Sequence, residues 1–418
     1  MYRAPRGTQD ILPEAQPYWE FVRQTAVSVS ARYGYQPIDV PIFEETSLFV
    51  RGVGEDTDIV DKQMYSFQDK GGTDITLRPE FTAGVVRAYL EHGMQTRPQP
   101  MKLYSVGPLF RYERPQAGRF RQLHQFNIEA IGEQDPFVDA EVMSVMWRFF
   151  QELGFEELQF QLNNIGCPEC RPEYLRALTG YYRQRQEALC PDCRRRLERN
   201  PLRLLDCKAE QCQLFLGEAP RSSELLCAEC ATHFGKLLSY LDALGRPYVI
   251  NHRLVRGLDY YTKTVFEVWA EGIGAQSAIC GGGRYDGLAE QLGGKHTPGL
   301  GVAAGIERII MVLRHKGMAA PQPTPPTAFF VYMEERAKLE ALRLMEEARQ
   351  LGLHVECAFG DRSMKAQFKA ADRARARWAV ILAKDELDKG MASVRSLEQA
   401  TQEEVALPCL VDWLKQRT

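Results

Sequence analysis

The sequence predicts an α/β protein with an α+β first domain, built on an antiparallel sheet with a cysteine-rich helical insertion, and a second, doubly wound α/β domain. Three observations predict this. Strand-like runs such as MKLYSVGPLF and RQLHQFNIEAIG follow one another without a helix between each pair, which favours antiparallel pairing. Four prolines lie between residues 321 and 326, and strand and helix patterns alternate after them. We place the first domain at residues 1–320, its insertion at 165–250 and the second domain at 326–418.

Composition limits the class of protein. The 418 residues are 44% hydrophobic and 26% charged, and no run of 18 uncharged apolar residues is present, so we expect no membrane segment. The start MYRAPRGTQD does not resemble a signal peptide, and we expect a cytoplasmic protein. A net charge of -3 argues against indiscriminate nucleic-acid coating. Eleven cysteines in a reducing compartment indicate thiol or metal chemistry rather than disulfides.

The strand-like run RQLHQFNIEAIG predicts one apolar and one polar face. A period of two places Gln125, Asn127 and Glu129 together on the polar face. A solvated outer face would explain such a strand in isolation. The preceding segment LFRYERPQAGRFR adds Arg111 and other arginines, however, so we expect a hairpin that holds an anionic ligand.

Four further segments combine special residues with polar groups. Pro79 suits a helix start, which would put Glu80 in the first turn, where capping alone could explain it. The stretch LVRGLDYYTKTVFE, residues 254–267, has the alternation of a strand and an unusual number of hydrogen-bonding groups. CGGGRYDG, residues 280–287, predicts a tight turn. GLGVAAGIER predicts a glycine-rich strand entering a helix, with Arg308 directed back to the sheet.

The insertion contains four cysteine pairs, three of them CxxC. The eight residues are Cys167, Cys170, Cys190, Cys193, Cys207, Cys212, Cys227 and Cys230. Nineteen residues separate Cys170 from Cys190, so the first two pairs fit zinc-ribbon spacing. We expect structural zinc rather than catalytic thiols. Four pairs can be divided between two tetrahedral sites in three ways, and the sequence does not select one.

Together these segments resemble a known family. PIDVPIFEETSLF, FRYE with Arg111, and GVAAGIER with Arg308 are similar to motifs 1, 2 and 3 of the class II aminoacyl-tRNA synthetases. LVRGLDYY, GGRYDGL, TDIVDKQMYSF, LRPE and RYERPQ resemble the histidyl-tRNA synthetase family more specifically, and the resemblance extends from residue 6 to about residue 410. Phe81 and Ala303 replace residues that are commonly glycine there, so we expect an altered fit near the pocket.

The resemblance implies a histidine–tRNA ligase that, with Mg, joins the carboxylate of L-histidine to the α-phosphate of ATP, releases pyrophosphate, and transfers the histidyl group to histidine tRNA. A carboxylate is already ionised near pH 7, so the first step needs fixed cations rather than a general base. The resemblance assigns the α-phosphate to Arg111, the γ-phosphate to Arg308 and the reacting centre to Arg256. Motif 1 implies a homodimer.

The resemblance also implies a histidine pocket. Its expected members are Glu80, Phe81, Thr82, Arg111, Gln125, Glu129, Arg256, Tyr260 and Tyr261. Glu80, Thr82 and Gln125 would accept from the substrate ammonium, and Glu129 with Tyr261 would pair with the imidazole nitrogens. Gln116 matches a position that recognises the extra 5′ guanosine of histidine tRNA.

Residues 362–377 of the second domain carry six cations and predict a basic helix face. Its cations are Arg362, Lys365, Lys369, Arg373, Arg375 and Arg377. Such a run is usually a solvated helix face, but in a domain resembling an anticodon-binding module it favours phosphate contact.

Two other functions compete with the ligase. A catalytically silent relative of this fold senses histidine as a regulatory subunit of ATP phosphoribosyltransferase. The presence of LVRGLDYY and of the second domain argues against that alternative, because the silent relatives typically lack both. A zinc-dependent nucleic-acid binder without catalysis would leave the pocket arginines unexplained.

Overall fold

The computed structural model describes residues 2–54, 57–114, 118–270 and 278–417. The chain divides into two compact units, Met1–Pro321 and Gln322–Thr418. In the first unit the strands are β1 (Gln36–Pro37), β2 (Phe43–Glu45), β3 (Tyr65–Gln68), β4 (Asp74–Leu77), β5 (Met101–Phe110), β6 (Gln122–Ile131), β7 (Leu158–Asn164), β8 (Tyr248–Ile250), β9 (Thr262–Ala270), β10 (Ala278–Arg284) and β11 (Gly299–Gly305).

The first unit also contains helices before, between and after these strands. They are α1 (Gln16–Arg32), α2 (Thr46–Val53), α3 (Thr82–Glu91), α4 (Pro136–Glu152), α5 (Arg171–Arg183), α6 (Pro191–Arg199), α7 (Glu210–Gln213), α8 (Ala228–Ala243), α9 (Leu288–Gln291) and α10 (Ile306–His315). Short 3₁₀ turns lie at Met94–Thr96, Gln186–Ala188, Pro201–Leu204 and Ser222–Glu224, and a π-helical turn lies at Ile59–Gln63.

The main sheet of the first unit is largely antiparallel, which confirms the predicted fold class. Among the described residues it has eight strands in the order β1-β5-β6-β11-β10-β9-β7-β8. Only the outer pairs, β1 with β5 and β7 with β8, are parallel. A smaller sheet, in the order β2-β4-β3, lies in the same unit.

The two faces of the main sheet differ as the alternation of β6 predicts. Phe126 and Ile128 belong to a buried apolar cluster that also includes residues of α1, α4, α8 and α10. Asn127 and Glu129 point to the opposite face, and they are buried rather than solvated, with 3% and 1% of their surface exposed. Buried polar groups require hydrogen-bond partners, so this second face is a candidate ligand-binding site.

Three local predictions in this unit are wrong. Of the predicted turn at 280–287, CGGGR is instead the last part of strand β10, because its glycines fit closely against both neighbouring strands, and the turn is confined to residues 285–287. In the stretch 254–267 only the part from Thr262 is strand, and residues 254–261 form a loop. Helix α3 begins at Thr82 rather than at Pro79, so Glu80 precedes the helix.

The cysteine-rich segment is helical, as expected. Helices α5 to α8 lie between β7 and β8. The buried apolar residues of this segment are continuous with those of the strand–loop region around Tyr260 and Val265.

The second unit has strands β12 (Ala328–Tyr332), β13 (Val355–Cys357), β14 (Trp378–Leu382), β15 (Met391–Ser396) and β16 (Gln402–Ala406), with helices α11 (Glu335–Gln350), α12 (Met364–Ala374), α13 (Lys384–Asp388) and α14 (Leu410–Lys415). The predicted strands β12, β13 and β14 are parallel. The sheet continues with antiparallel β15 and β16, which the sequence pattern did not predict. Along the described ranges of the chain, no helix combines the length and apolar character needed to cross a lipid bilayer.

Candidate active site

The polar face of the main sheet has a floor of very small residues. Asn127 on β6 pairs with Ala303 on β11, Ala303 with Gly281 on β10, and Gly281 with Glu267 on β9. Residues directly opposite one another in a sheet project to the same side. A row of two small residues between an amide and a carboxylate therefore leaves room for a ligand above the sheet.

Glycine is required at two points of this floor. A Cβ at Gly301 would lie 2.0 Å from Glu129 Oε2, and one at Gly281 would lie 2.4 Å from Arg256 Nη1. Both distances are far inside van der Waals contact, so any side chain there would displace the charged group above it. The glycines of β10 and β11 thus allow the Glu129 carboxyl group and the Arg256 guanidinium to lie directly on the backbone of the sheet.

Glu129 is a buried carboxylate surrounded by donors. Its Oε1 accepts from Thr82 Oγ1 at 2.5 Å and from Asn127 Nδ2 at 2.8 Å, and its Oε2 accepts from the Tyr285 hydroxyl. Burial raises the pKa of Glu129 to about 7, although these three hydrogen bonds favour the charged form. The group therefore changes charge close to neutral pH.

Glu80 lies at the N-terminus of α3. Its Oε2 accepts from Thr82 N at 2.6 Å and its Oε1 from Ala83 N at 2.8 Å, so it caps the helix from outside the first turn. Burial raises the pKa of Glu80, while the two backbone donors oppose that shift. The Phe81 ring stacks under the Arg78 guanidinium, 4.5 Å from the ring centroid, and fixes this corner.

The loop at residues 254–261 brings a cation and two tyrosines over the sheet. Arg256 Nη1 donates to Glu267 Oε1 at 2.6 Å. Burial opposes the Arg256 charge, but Tyr261 and Glu267 outweigh it and raise the pKa. The rings of Tyr260 and Tyr261 lie 4.8 Å apart between centroids, and Tyr260 makes an edge contact with Tyr285 at 5.8 Å.

Two adjoining cavities open on this face. The smaller, of about 160 Å³, is bordered by the expected residues Glu80, Phe81, Thr82, Arg111, Gln125, Arg256, Tyr260 and Tyr261. The larger, of about 330 Å³, is bordered by Arg308 of α10, by Arg119 and by Glu267, among others. Arg111, Gln125, Arg256, Gly281 and Ala303 border both.

Arg111 and Arg308 reach the site from segments that follow β5 and β11, the two strands paired with β6. Arg111 follows β5, and its Nε donates to the Pro79 carbonyl at 2.8 Å. Burial lowers the pKa of both guanidinium groups, and Arg119 adds to the effect at Arg308. Three arginines on connected cavities form a concentrated positive field suited to a polyanion.

Some site residues were missed and one lies outside the described residues. Residues 285–287 form the turn that the sequence predicts, but the sequence gives no sign that Tyr285 borders the smaller cavity and donates to Glu129. Nor does it indicate that Glu267, part of a polar strand, is the partner of Arg256. The pairing of β9 with β10 brings it to the site, and no local motif indicates that pairing. Glu129, whose carboxylate lies over Gly301 and accepts from Asn127, is not among the residues that border the smaller cavity. Gln116 lies in residues 115–117, which the structure does not describe.

The eight insertion cysteines form two clusters of four. The first cluster comprises Cys167, Cys170, Cys227 and Cys230, and the second comprises Cys190, Cys193, Cys207 and Cys212. The structure thus selects one of the three possible divisions, and it is not the one in which the first two CxxC pairs share a site. Within each cluster all sulfur atoms lie within 4.8 Å of one another.

The sulfur spacing fits a tetrahedral metal. In the first cluster the Sγ–Sγ distances are 3.8 Å for Cys167–Cys170, 3.7 Å for Cys167–Cys227 and 3.8 Å for Cys170–Cys230. Cys190 and Cys207 are likewise 3.8 Å apart in the second. A zinc–sulfur distance of about 2.3 Å with tetrahedral angles places sulfurs about 3.8 Å apart.

Comparison with known proteins agrees with this geometry. The family model described as histidyl-tRNA synthetase matches residues 7–178 and 202–309, and a model described as an anticodon binding domain matches residues 326–417. A histidine–tRNA ligase of Dehalococcoides mccartyi is 52% identical over 417 residues, which cover 100% of both chains. One of Moorella thermoacetica is 49% identical over 411 residues, covering 98% of this chain and 97% of that protein.

A solved structure is similar over almost the whole length. The crystal structure of apo S. aureus histidyl-tRNA synthetase has a TM-score of 0.85 and 37% sequence identity, covering 99% of this chain and 100% of that one. Sequence, fold and site geometry lead to the same conclusion: this chain belongs to the histidyl-tRNA synthetase family.

Proposed function

We propose that the chain is a histidine–tRNA ligase, which activates L-histidine with ATP to histidyl-adenylate and then transfers the histidyl group to the 3′-terminal ribose of histidine tRNA, releasing AMP. The observation that supports this most directly is that Arg111 and Arg256 border both cavities while Arg308 borders the larger one. A polar pocket of amino-acid size therefore adjoins a larger pocket with the charge a triphosphate needs. The activated carboxylate would lie where the two meet.

The first step joins the histidine carboxylate to the α-phosphorus and releases pyrophosphate. The nucleophile is already ionised, so the protein needs to align the reactants and stabilise charge on the phosphoryl oxygens. We assign the α-phosphate to Arg111 and the γ-phosphate to Arg308. Arg256, fixed by Glu267 and by the bare backbone of Gly281, would contact the reacting carboxylate and phosphate.

We assign the substrate ammonium to Glu80, Thr82 and Gln125, all of which border the smaller cavity. Glu80 has two backbone donors, but each carboxylate oxygen can accept a further hydrogen bond. For the imidazole we assign Glu129 and Tyr261, and we add Tyr285, whose hydroxyl connects the cavity to Glu129. An apolar isostere of histidine would leave these buried groups unpaired.

Magnesium would enter with the nucleotide. It is held mainly by phosphate oxygens with one or two carboxylates, and the Glu113 and Glu267 carboxylates border the larger cavity. Bound there, it would neutralise part of the phosphate charge.

Transfer to tRNA would use both units. We assign the adenylation chemistry to residues 1–320 and anticodon recognition to residues 326–418. All six cations of the segment 362–377 are exposed, as a phosphate-binding surface requires. We retain Gln116 as the residue that contacts the acceptor end.

We assign one structural zinc to each cysteine cluster. Four thiolates at tetrahedral spacing in a small helical segment bind zinc strongly and organise the chain around it. This assignment requires reduced thiols, which agrees with a cytoplasmic location.

We also propose a homodimer formed through the motif 1 region. Phe43 and Phe67 of the small sheet and Ile42 beside it are exposed, with 55%, 49% and 46% of their surface accessible. Exposed large apolar side chains of this kind favour burial against a second copy.

The second candidate is a histidine-sensing regulatory subunit. Three features argue against a regulatory subunit. They are the loop that carries Arg256, the second unit, and the similarity to histidine–tRNA ligases over the full length. The deciding experiment is ATP–pyrophosphate exchange measured with each of the twenty amino acids. A ligase exchanges label with histidine alone, whereas a sensor binds histidine without exchange.

A further inference from the structure

The loop at residues 254–261, which we call the arginine loop, is held by the cysteine-rich insertion at two points. Arg171 Nη2 donates to the Tyr261 carbonyl at 2.5 Å. Asn200 Nδ2 donates to Asp259 Oδ1 at 2.7 Å. Both contacts come from outside the main sheet, and they lie on either side of Tyr260, three or more residues beyond Arg256.

Arg171 is adjacent in sequence to a cysteine of the first cluster, and Asn200 lies between two cysteines of the second. Arg171 follows Cys170 directly, and its backbone N donates to the Cys167 carbonyl at 2.9 Å. Its guanidinium also donates to the carbonyls of Ile165 and Gly166, at 3.2 and 3.1 Å, so one side chain joins three backbone groups. The first cluster therefore fixes the direction from which Arg171 approaches Tyr261.

Asn200 lies within the segment of the second cluster, seven positions after Cys193 and seven before Cys207. It ends helix α6, between Cys193 and Cys207, and its backbone N donates to the Arg196 carbonyl at 2.8 Å. The N-cap of α6 is Cys190, whose sulfur accepts from Cys193 N at 3.4 Å. The cluster thus encloses the short segment that presents Asn200 to Asp259.

Apolar packing makes these contacts stiff. Leu197 and Leu204 of the insertion belong to the same buried cluster as Val255, Tyr260 and Tyr261 of the arginine loop. Close-packed side chains transmit displacement rather than absorbing it. A shift of the insertion would therefore move the loop that presents Arg256.

We propose that Arg171 and Asn200 are positioning residues for the arginine loop, and that the two cysteine clusters act on adenylation by holding them in place. This inference rests on the proposed function, because it gives the insertion a role in aligning Arg256 with the reacting groups. Neither residue touches the substrate cavity. Their loss should lower turnover through misalignment, and the charges of the site remain unchanged.

The test of the Asn200 contact is a swap of the two partners. Asn200→Asp places a second carboxylate against Asp259, and we expect a roughly 10- to 100-fold lower kcat for histidine-dependent pyrophosphate exchange, the cost of a displacement near 1 Å. The double variant Asn200→Asp with Asp259→Asn restores an amide–carboxylate pair and should recover most of the rate. A merely structural role would not predict recovery in kcat.

The Arg171 contact has a matched control on the same helix. Arg171→Met removes the donor at the first residue of α5, and Arg183→Met changes the last residue, an exposed arginine paired only with Glu198 among the contacts described. We expect lower kcat for Arg171→Met and an unchanged rate for Arg183→Met. Hydrogen exchange of amides 254–261 should accelerate in Arg171→Met and Asn200→Asp alone.

The outcomes separate the two proposals. Wild-type kcat and unchanged amide protection in both single variants would overturn the positioning role while leaving the ligase intact. Failure of the swap to recover rate and protection would overturn the role of the Asn200 contact. If the wild type showed no exchange with histidine, the proposed function would fail, and amide protection would still decide whether the insertion holds the loop.

Discussion

Replacing Gly281 by alanine should disable the site without removing any of its charges. The new Cβ would lie 2.4 Å from Arg256 Nη1, 2.5 Å from Cζ and 2.6 Å from Nη2. Carbon contacts are comfortable at about 3.5 Å, so the guanidinium must rise by about 1 Å or lose its contact with Glu267. A displacement of this size at a reacting centre costs about 100-fold in rate, or about 2.7 kcal/mol of transition-state stabilisation.

The assay is histidine-dependent pyrophosphate exchange, with kcat and KM determined separately. Gly287→Ala is the control, because a Cβ there would meet no atom within 4 Å. We expect the control to keep wild-type kcat and Gly281→Ala to lose about two orders of magnitude while its thermal unfolding stays cooperative. Wild-type kcat in Gly281→Ala would refute the argument that Arg256 must lie flat on β10.

Three other predictions follow from the same geometry. Burial raises the pKa of Glu129 to about 7 from 4.5. Between about pH 4.5 and 7 the folded chain therefore keeps a proton that the unfolded chain has released. Because the folded state binds more protons, the free energy of unfolding should fall as pH rises through that range. Glu129→Gln should flatten this slope in urea titrations and weaken histidine binding more than ATP binding; an unchanged slope and unchanged affinity would reassign the residue. Asp139→Ala removes the nearer of the two carboxylates paired with the fully buried Arg284, at 2.7 Å, and leaves Asp286 at 3.1 Å. It should cost about 3 kcal/mol in chemical denaturation, whereas loss of the exposed Arg343 should cost under about 1 kcal/mol; equal losses would contradict this. Elemental analysis should find two zinc ions per reduced chain, and chelation should speed proteolysis within residues 165–247; zinc-free protein with eight titratable thiols would exclude the sites.

Local patterns predicted the parts of this fold that depend on neighbouring residues in the chain. The period-two alternation of β6 identified the face that carries Asn127 and Glu129. The alternation of strands and helices beyond residue 326 identified the parallel part of the second sheet. Both predictions are correct because burial of one face of a strand or helix requires apolar residues at a regular spacing in the sequence.

The failures concern glycine and long-range pairing. CGGGR has the composition of a turn, but its glycines are needed because Arg256 lies against Gly281 and Tyr261 against Gly283. No local pattern contains that information, since the neighbours come from elsewhere in the chain. Tyr285 was missed for the same reason.

The grouping of the cysteines likewise required the fold. Spacing favours the two nearest CxxC pairs, whereas Cys167 and Cys227 are 3.7 Å apart although they are 60 positions apart in sequence. Helix α8 packs against α4, and at its N-terminus Asn164 donates to the Cys230 carbonyl at 3.3 Å. The last cysteine pair therefore lies beside the first. Sequence spacing alone does not indicate that the first and last cysteine pairs are neighbours in space.

The central claim is that Arg256 supplies a fixed charge to the transition state of histidine activation. The most direct measurement is the kcat of histidine-dependent pyrophosphate exchange in Arg256→Ala, beside its dissociation constant for histidine. The account predicts a kcat about 100- to 1,000-fold lower, equivalent to about 2.7–4 kcal/mol, with a much smaller change in binding. Normal turnover with only a raised KM would show that Arg256 binds substrate without acting on the reaction, and would contradict the account.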